Sequence, residues 1–200
     1  IGLQDIGIAD EAIQPLWRDT VNFTHRIVGI AVTARYVPTN KRPAKIPPEE
    51  VDNWYANITG EPFMDALFPG CVLVIDAEGD GDTRSIGSTN ILDWKKLGMV
   101  GVITSGGLAD SDEIISHKVP AYHKRKGRGF RPGRNEIESV NRPINLGGVL
   151  VRPGDVVMAD GDGVIVVPRE HAEEVAKAAM QFLDNIGLER YQRMQKGVKP

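Results

Sequence analysis

Three short segments of this 200-residue chain combine residue types that could do chemistry. The first, Gly87-Ser88-Thr89-Asn90, stands where a helix is expected to begin. Unpaired backbone N–H groups and the positive end of the dipole make such a turn a seat for a carboxylate or a phosphate. An ordinary helix start capped by Ser88 is the plainer alternative. The second, Gly106-Gly107-Leu108-Ala109-Asp110, follows a buried apolar run. Two glycines let backbone approach a ligand closely, and Asp110, with Asp112 and Glu113 behind it, could hold a hard cation through oxygen. An acidic helix N-terminus complementing its own dipole would look the same. The third, residues 118–134 (KVPAYHKRKGRGFRPGR), carries seven cations and no acid. A nucleic-acid arm with Tyr122 and Phe130 for stacking fits this pattern. So does a flexible clamp in which Arg pairs bidentately with a carboxylate, or a solvated or inter-subunit surface.

Composition narrows these choices. Lys and Arg number 24 against 27 Asp and Glu, a net charge of −3 that excludes a general phosphate-backbone binder, so no DNA partner is expected. The lone Cys71 precedes the apolar run of residues 72–75, which excludes an internal disulfide and favours a buried strand thiol over a nucleophile. No apolar run reaches the ~18 residues of a membrane helix and no signal peptide opens the chain, so a cytoplasmic protein is expected. The sequons at Asn22 and Asn57 are then chance. The length suits one domain spanning residues 1–200, and the chain starts at Ile1, not Met. His25, His117, His123 and His171 lack metal-ligand spacing. Residues 79–87 (GDGDTRSIG) match neither a nucleotide-binding loop nor a dinucleotide fingerprint, which argues against NTP hydrolysis and hydride transfer.

The elements that must position these residues follow from periodicity. Residues 26–37 read as a strand. Pro47-Pro48-Glu49-Glu50 opens a helix whose apolar face is Val51, Trp54, Tyr55 and Ile58. Residues 71–75 and 99–104 are buried strands, separated by a Gly/Asp-rich loop (76–87) and a helix (88–96). A further helix runs through Ile115. Strand, helix, strand, Gly-rich loop, helix is the rhythm of a parallel sheet, whose functional loops lie at strand C-terminal ends. If the two strands are neighbours, both loops face one crevice. Residues 149–151, 155–159 and 164–167, split by Pro153-Gly154 and the Asp160 to Gly163 turn, read as a β-meander. Residues 169–196 form a C-terminal helical segment.

Taken in order, RIVGIAVTARYVPTN, VLVIDAEGD, GMVGVITSGGLAD and INLGGVLVRPGDVVMADGDGVIVVPRE resemble the family containing the regulator of ribonuclease activity A and the class II 4-hydroxy-4-methyl-2-oxoglutarate aldolases. The likeness runs from about residue 26 to 190, without the family's usual N-terminal helix. It implies an α/β fold, an α/β/β/α sandwich resembling the swivelling phosphohistidine domain, assembled as homotrimers or hexamers. It also implies Mg²⁺- or Mn²⁺-dependent cleavage of 4-hydroxy-2-oxo acids to pyruvate, and decarboxylation of oxaloacetate. In such enzymes the turn matching Gly87, Ser88, Thr89 and Asn90 cradles pyruvate through backbone amides, and an Asp and a later Arg-Asp pair complete the site. Here those three positions are Ser88, Ala109 and the metal-binding Asp110. Losing the guanidinium would cost about 10² to 10³ in rate.

Gly107 is expected near the substrate from its place in the second segment, and the resemblance further suggests Asn40 there and Glu189 as a second metal ligand. Arg128, Arg131 or Arg134 is expected to supply the missing charge. The leading expectation is a divalent-metal lyase acting on a small 2-oxo acid. The alternatives are a non-catalytic regulator that binds a ribonuclease or other protein, and a sugar-acid dehydratase suited by the polar Ser88.

Overall fold

The computed structural model describes residues 6–41 and 46–182, together with Gly187 and Gln192. Its strands are β1 (Gly7–Ile8), β2 (Gln14–Pro15), β3 (Ile27–Pro38), β4 (Cys71–Asp76), β5 (Arg84–Ile86), β6 (Gly101–Leu108), β7 (Ala121–Lys126), β8 (Asn135–Val140), β9 (Ile144–Leu146), β10 (Val149–Val151), β11 (Val156–Asp160) and β12 (Gly163–Val167). The helices are α1 (Pro48–Asn57), α2 (Ser88–Lys96), α3 (Ser111–Ser116) and α4 (Ala172–Phe182). Ten strands form one mixed sheet in the order β1-β12-β11-β3-β4-β6-β7-β2, with β5 beside β6 and β8 beside β3. This is the α/β class expected from the sequence.

The neighbours β3, β4, β6 and β7 are parallel, as the strand-helix alternation predicts. At one edge β1 pairs with β12, and at the other β2 pairs with β7. Residues 9–13 are all that join β1 to β2, and so short a link reaches no further than about 20 Å. The sheet therefore curls until its two edges approach. Alternation along β4 explains why its sequence is apolar throughout: Cys71, Leu73 and Ile75 join the core that holds Trp94, Phe63, Ile91 and Ile114. Val72 and Val74 join the second core, with Ile103, Tyr122, Leu146, Val151 and Val157. Cys71 is fully buried, and burial pushes its thiol pKa up, as befits a packing residue and not a nucleophile.

Three expectations change. The buried strand expected over residues 99–104 runs instead over Gly101–Leu108, so Gly106 and Gly107 are buried strand residues and not loop. The proposed meander is broken at its first strand, because β10 pairs with β9 in a separate ribbon while β11 and β12 form a hairpin on β3. The Asp155 carboxylate accepts the Arg152 and Arg169 amides, which fastens the chain where it turns from ribbon to sheet. The loop at 76–87 is not wholly irregular, since its last residues form β5. Of the helical segment expected over 169–196, α4 is observed to Phe182 without a buried residue, and most of the remainder lies outside the described residues.

One row of the sheet is apolar and open. Ile8, Ile165, Met158 and Val28 pair across β1, β12, β11 and β3, each between 41% and 61% exposed. They line a cleft of about 520 Å³ together with Arg26 and Asp160. It shares no lining residue with the turns at residues 87–90 and 106–110.

Candidate functional site

The two turns singled out in the sequence meet. β5 runs parallel to the end of β6, with Arg84 opposite Gly107 and Ile86 opposite Leu108, and the Ala109 amide donates to the Ile86 carbonyl at 2.9 Å. Buried Asp80 anchors this short strand: its Oδ2 accepts from Ser85 Oγ (2.9 Å) and Asn135 Nδ2 (2.8 Å), while burial pushes its carboxyl above the ordinary range. The turns after β5 and β6 are thereby fixed side by side at the C-terminal end of the parallel strands.

Gly87, and not Ser88, is the cap of α2; its backbone is extended (φ −131°, ψ 171°), and Ser88 is the first helical residue with no side-chain cap bond. The first helical hydrogen bond runs from the Ile91 amide to the Gly87 carbonyl (3.1 Å), so the amides of Ser88, Thr89 and Asn90 have no partner within the helix. Ser88 N–H donates to Asp110 Oδ2 at 3.2 Å. Among the described residues no acceptor takes the Thr89 or Asn90 amide. Asp110 reaches the turn from a left-handed backbone conformation (φ 53°, ψ 37°), a geometry that costs a non-glycine residue about 1–3 kcal/mol. A carboxylate from the chain thus already lies against the positive end of α2.

One cation faces Asp110 and a second reaches the residue after it. Arg84 Nη1 is 3.8 Å from Asp110 Oδ1, and its guanidinium carbon lies 3.8 Å from the centroid of the Phe130 ring. Lys126 Nζ donates to Ser111 Oγ at 2.9 Å. Behind α2 a buried polar network ties the turn to the core. Glu61 accepts from Asn90 Nδ2 (2.5 Å), Trp94 Nε1 (2.9 Å) and Arg131, which also donates to the Tyr36 hydroxyl (2.8 Å). Burial pushes the Tyr36 hydroxyl pKa upward, so the phenol stays protonated.

The three arginines expected to supply the missing charge are not brought to Asp110. Arg131 is buried in the Glu61 pair, while Arg134 and exposed Arg128 both pair with Asp82, at 2.6 and 3.5 Å. β7 takes up residues 121–126 of the basic segment, where Lys124 pairs with Asp10 and Glu78, Arg125 donates to the Gly81 carbonyl and Lys126 to the Ser111 hydroxyl, so this part is a strand and not a flexible clamp. Gly107 is absorbed by packing, because a Cβ there would sit 2.3 Å from the Thr83 carbonyl oxygen and 2.8 Å from Gly127. Asn40 is exposed at the end of β3, at the same end of the sheet but without a contact to residues 87–90 among the described residues. Glu189 lies outside the described residues. Arg84 and Glu61 were missed in the sequence. Arg84 had one signal, its place three residues before the Gly87 turn; Glu61 had none.

A hard cation would find one well-placed carboxylate, since no group of three His, Cys, Asp or Glu side chains converges among the described residues. Asp110 is partly exposed, and its Oδ1 has no hydrogen-bond donor closer than the Arg84 contact. This donor set fits Mg²⁺, which is commonly held by one or two carboxylates and keeps several waters.

A curled mixed sheet whose helix start at residues 87–90 meets Asp110 at the C-terminal ends of its parallel strands defines an α/β protein. The sequence profile described as RraA-like: Aldolase/RraA matches residues 3–166, and the chain belongs to that family. A protein of Halalkalibacterium halodurans named "Putative 4-hydroxy-4-methyl-2-oxoglutarate aldolase" is 36% identical over 125 residues, covering 61% of this chain and 58% of the relative. The match thus spans little more than half of that relative's length. The crystal structure of Streptomyces coelicolor RraAS2, described as an unusual member of the RNase ES inhibitor RraA protein family, superposes with a TM-score of 0.73 at 24% identity over 94% of this chain and 85% of its own. The RNA-processing inhibitor RraA of Thermus thermophilis gives 0.55 at 19% identity over 82% and 87%. Both structures share the fold. No helix among the described residues is long and apolar enough to cross a membrane.

Proposed function

We propose that this chain is a divalent-metal-dependent lyase that releases pyruvate from a small 2-oxo acid, by aldol cleavage of a 4-hydroxy-2-oxo acid or by decarboxylation of oxaloacetate. The observation that carries the reading is the pair of unpartnered amides, Thr89 and Asn90, beside the Ser88–Asp110 contact. The substrate carboxylate binds these amides at the helix start, where partial positive charge is concentrated. Asp110 is the residue that would hold Mg²⁺ or Mn²⁺, and the ion would supply Lewis acidity toward the 2-oxo oxygen. Glu61 holds Asn90 and the first turn of α2 in place from behind. The aldolase name of the 36% identical relative supports the reaction class.

Pyruvate release from 4-hydroxy-4-methyl-2-oxoglutarate and from oxaloacetate, each with Mg²⁺ and with excess chelator, tests this. Turnover of at least one substrate is expected, abolished by chelation and lowered by about 10² or more in Asp110→Ala. Release from neither, or release indifferent to the chelator, contradicts the reading. Ala109, standing where the resemblance places an Arg, favours a second reading: a partner-binding regulator without turnover, for which neither substrate yields pyruvate.

The open apolar row across β1, β12, β11 and β3 is the surface we assign to self-association, since contiguous exposed apolar side chains of this kind mark interaction sites. Sedimentation equilibrium is expected to give three or six times the 21.9 kDa chain mass. A monomer at micromolar concentration would show that this surface serves something else.

A further inference from the structure

We propose that Arg84 is a substrate-binding residue whose guanidinium receives the 2-oxo oxygen together with one carboxylate oxygen of the bound acid. This rests on residues 87–90 seating that carboxylate. The first support is position: Arg84 Nη1 at 3.8 Å is the guanidinium nitrogen beside Asp110, and Asp110 in turn touches the Ser88 amide. The second is that the guanidinium is held but unspent. Phe130 lies under it at 3.8 Å, and its own backbone is fixed by the Arg84 amide donating to the Gly129 carbonyl at 2.9 Å. Yet no hydrogen bond from the Arg84 side chain to any acceptor is found among the described residues.

The nearby arginines differ. Arg131 donates to Glu61 and Tyr36, Arg125 to the Gly81 carbonyl, and Arg134 to Asp82. A guanidinium has five N–H donors in a planar fork, and on this side chain, 28% exposed, only the Asp110 carboxylate at 3.8 Å faces it, beyond hydrogen-bond distance. Such a group is ready for a planar, two-oxygen anion. The adjacent oxo and carboxylate oxygens of a 2-oxo acid present that pattern. Stacking on Phe130 keeps the fork from collapsing onto Asp110, because an aromatic face attracts the cation without using its in-plane donors.

Oxalate, a planar dianion with the same adjacent oxygens, is the probe. Calorimetric titration with oxalate in the presence of Mg²⁺ is expected to show binding by the unmodified chain. Arg84→Ala should weaken it by about 10- to 100-fold, the usual worth of a charge-assisted pair. Added guanidinium ion at millimolar concentration should recover much of the loss in Arg84→Ala. Arg84→Lys, a point charge without the fork, should stay weak. Arg84→Gln is a second variant should the alanine protein not fold. Unchanged affinity in a folded Arg84 variant overturns the assignment of Arg84 while leaving the carboxylate seat standing. Absence of oxalate binding by the unmodified chain overturns both. A loss in Arg84→Ala that guanidinium ion does not touch, matched by an equal loss of thermal stability, makes Arg84 structural and also overturns the assignment.

Discussion

Glu61→Ala is expected to destabilise the chain by about 3–5 kcal/mol, the cost of leaving a buried ion-pair partner uncompensated. The Arg131 side chain is only 4% exposed and Glu61 13%, so solvent cannot replace the lost carboxylate. Three side-chain donors lose their Glu61 acceptor at once: the Arg131 guanidinium, the Trp94 indole nitrogen and Asn90 Nδ2. Trp94 is fully buried with its ring edge against Phe63, 5.3 Å between centroids, so its indole N–H has no other outlet. Urea denaturation of the two proteins measures the difference directly. A loss below about 1 kcal/mol would mean that Arg131 finds water or another acceptor, and that this network does not hold α2 against the core. Glu61→Gln keeps an acceptor for Trp94 but not the charge, so it should fall between.

Gly87→Ala should act on binding more than on folding. The position is extended, which alanine adopts without strain, but its Cβ would stand 2.8 Å from Asp110 Oδ2 and 3.4 Å from Asn90 Oδ1. The Asp110 carboxylate must move off the Ser88 amide, and a methyl group then stands over the amides that receive the ligand. Losing one or two charge-assisted hydrogen bonds of about 1.5–3 kcal/mol each lowers carboxylate affinity by about tenfold or more. Unaltered pyruvate affinity in this variant would place the carboxylate elsewhere.

Much of this was written in local patterns. β-branched, doubly buried β4, the amphipathic α1 and the Gly-Ser-Thr-Asn helix start are features of spacing and side-chain type and formed where expected, whereas β6 runs on through Gly106 and Gly107, which composition alone marks as loop. Convergence at one end of the sheet was expected from the parallel alternation, but it is β5, a three-residue strand inside the expected loop, that sets residues 87–90 beside the end of β6. What could not be read was pairing between short or distant pieces. β1 and β2 have two residues each, too few for periodicity, yet they determine how the sheet closes. Which of the arginines near the site would be spent on structure depended on where Glu61 and Asp82 lie in space. Arg131 is distinguished from Arg84 by burial beside an acid, and the sequence shows the two alike. Gly107 looked like a ligand glycine because close approach to a ligand and close approach to another strand demand the same absent side chain.

The most direct test of the central claim is a pyruvate titration of the ¹⁵N-labelled chain in the presence of Mg²⁺, followed by the backbone amide resonances. Saturable shifts are expected, concentrated at Ser88, Thr89 and Asn90, with the same resonances in Gly87→Ala moving only at about tenfold or more higher pyruvate. Shifts confined to other parts of the chain, such as the apolar row around Met158, or no saturable shift at all, would contradict it.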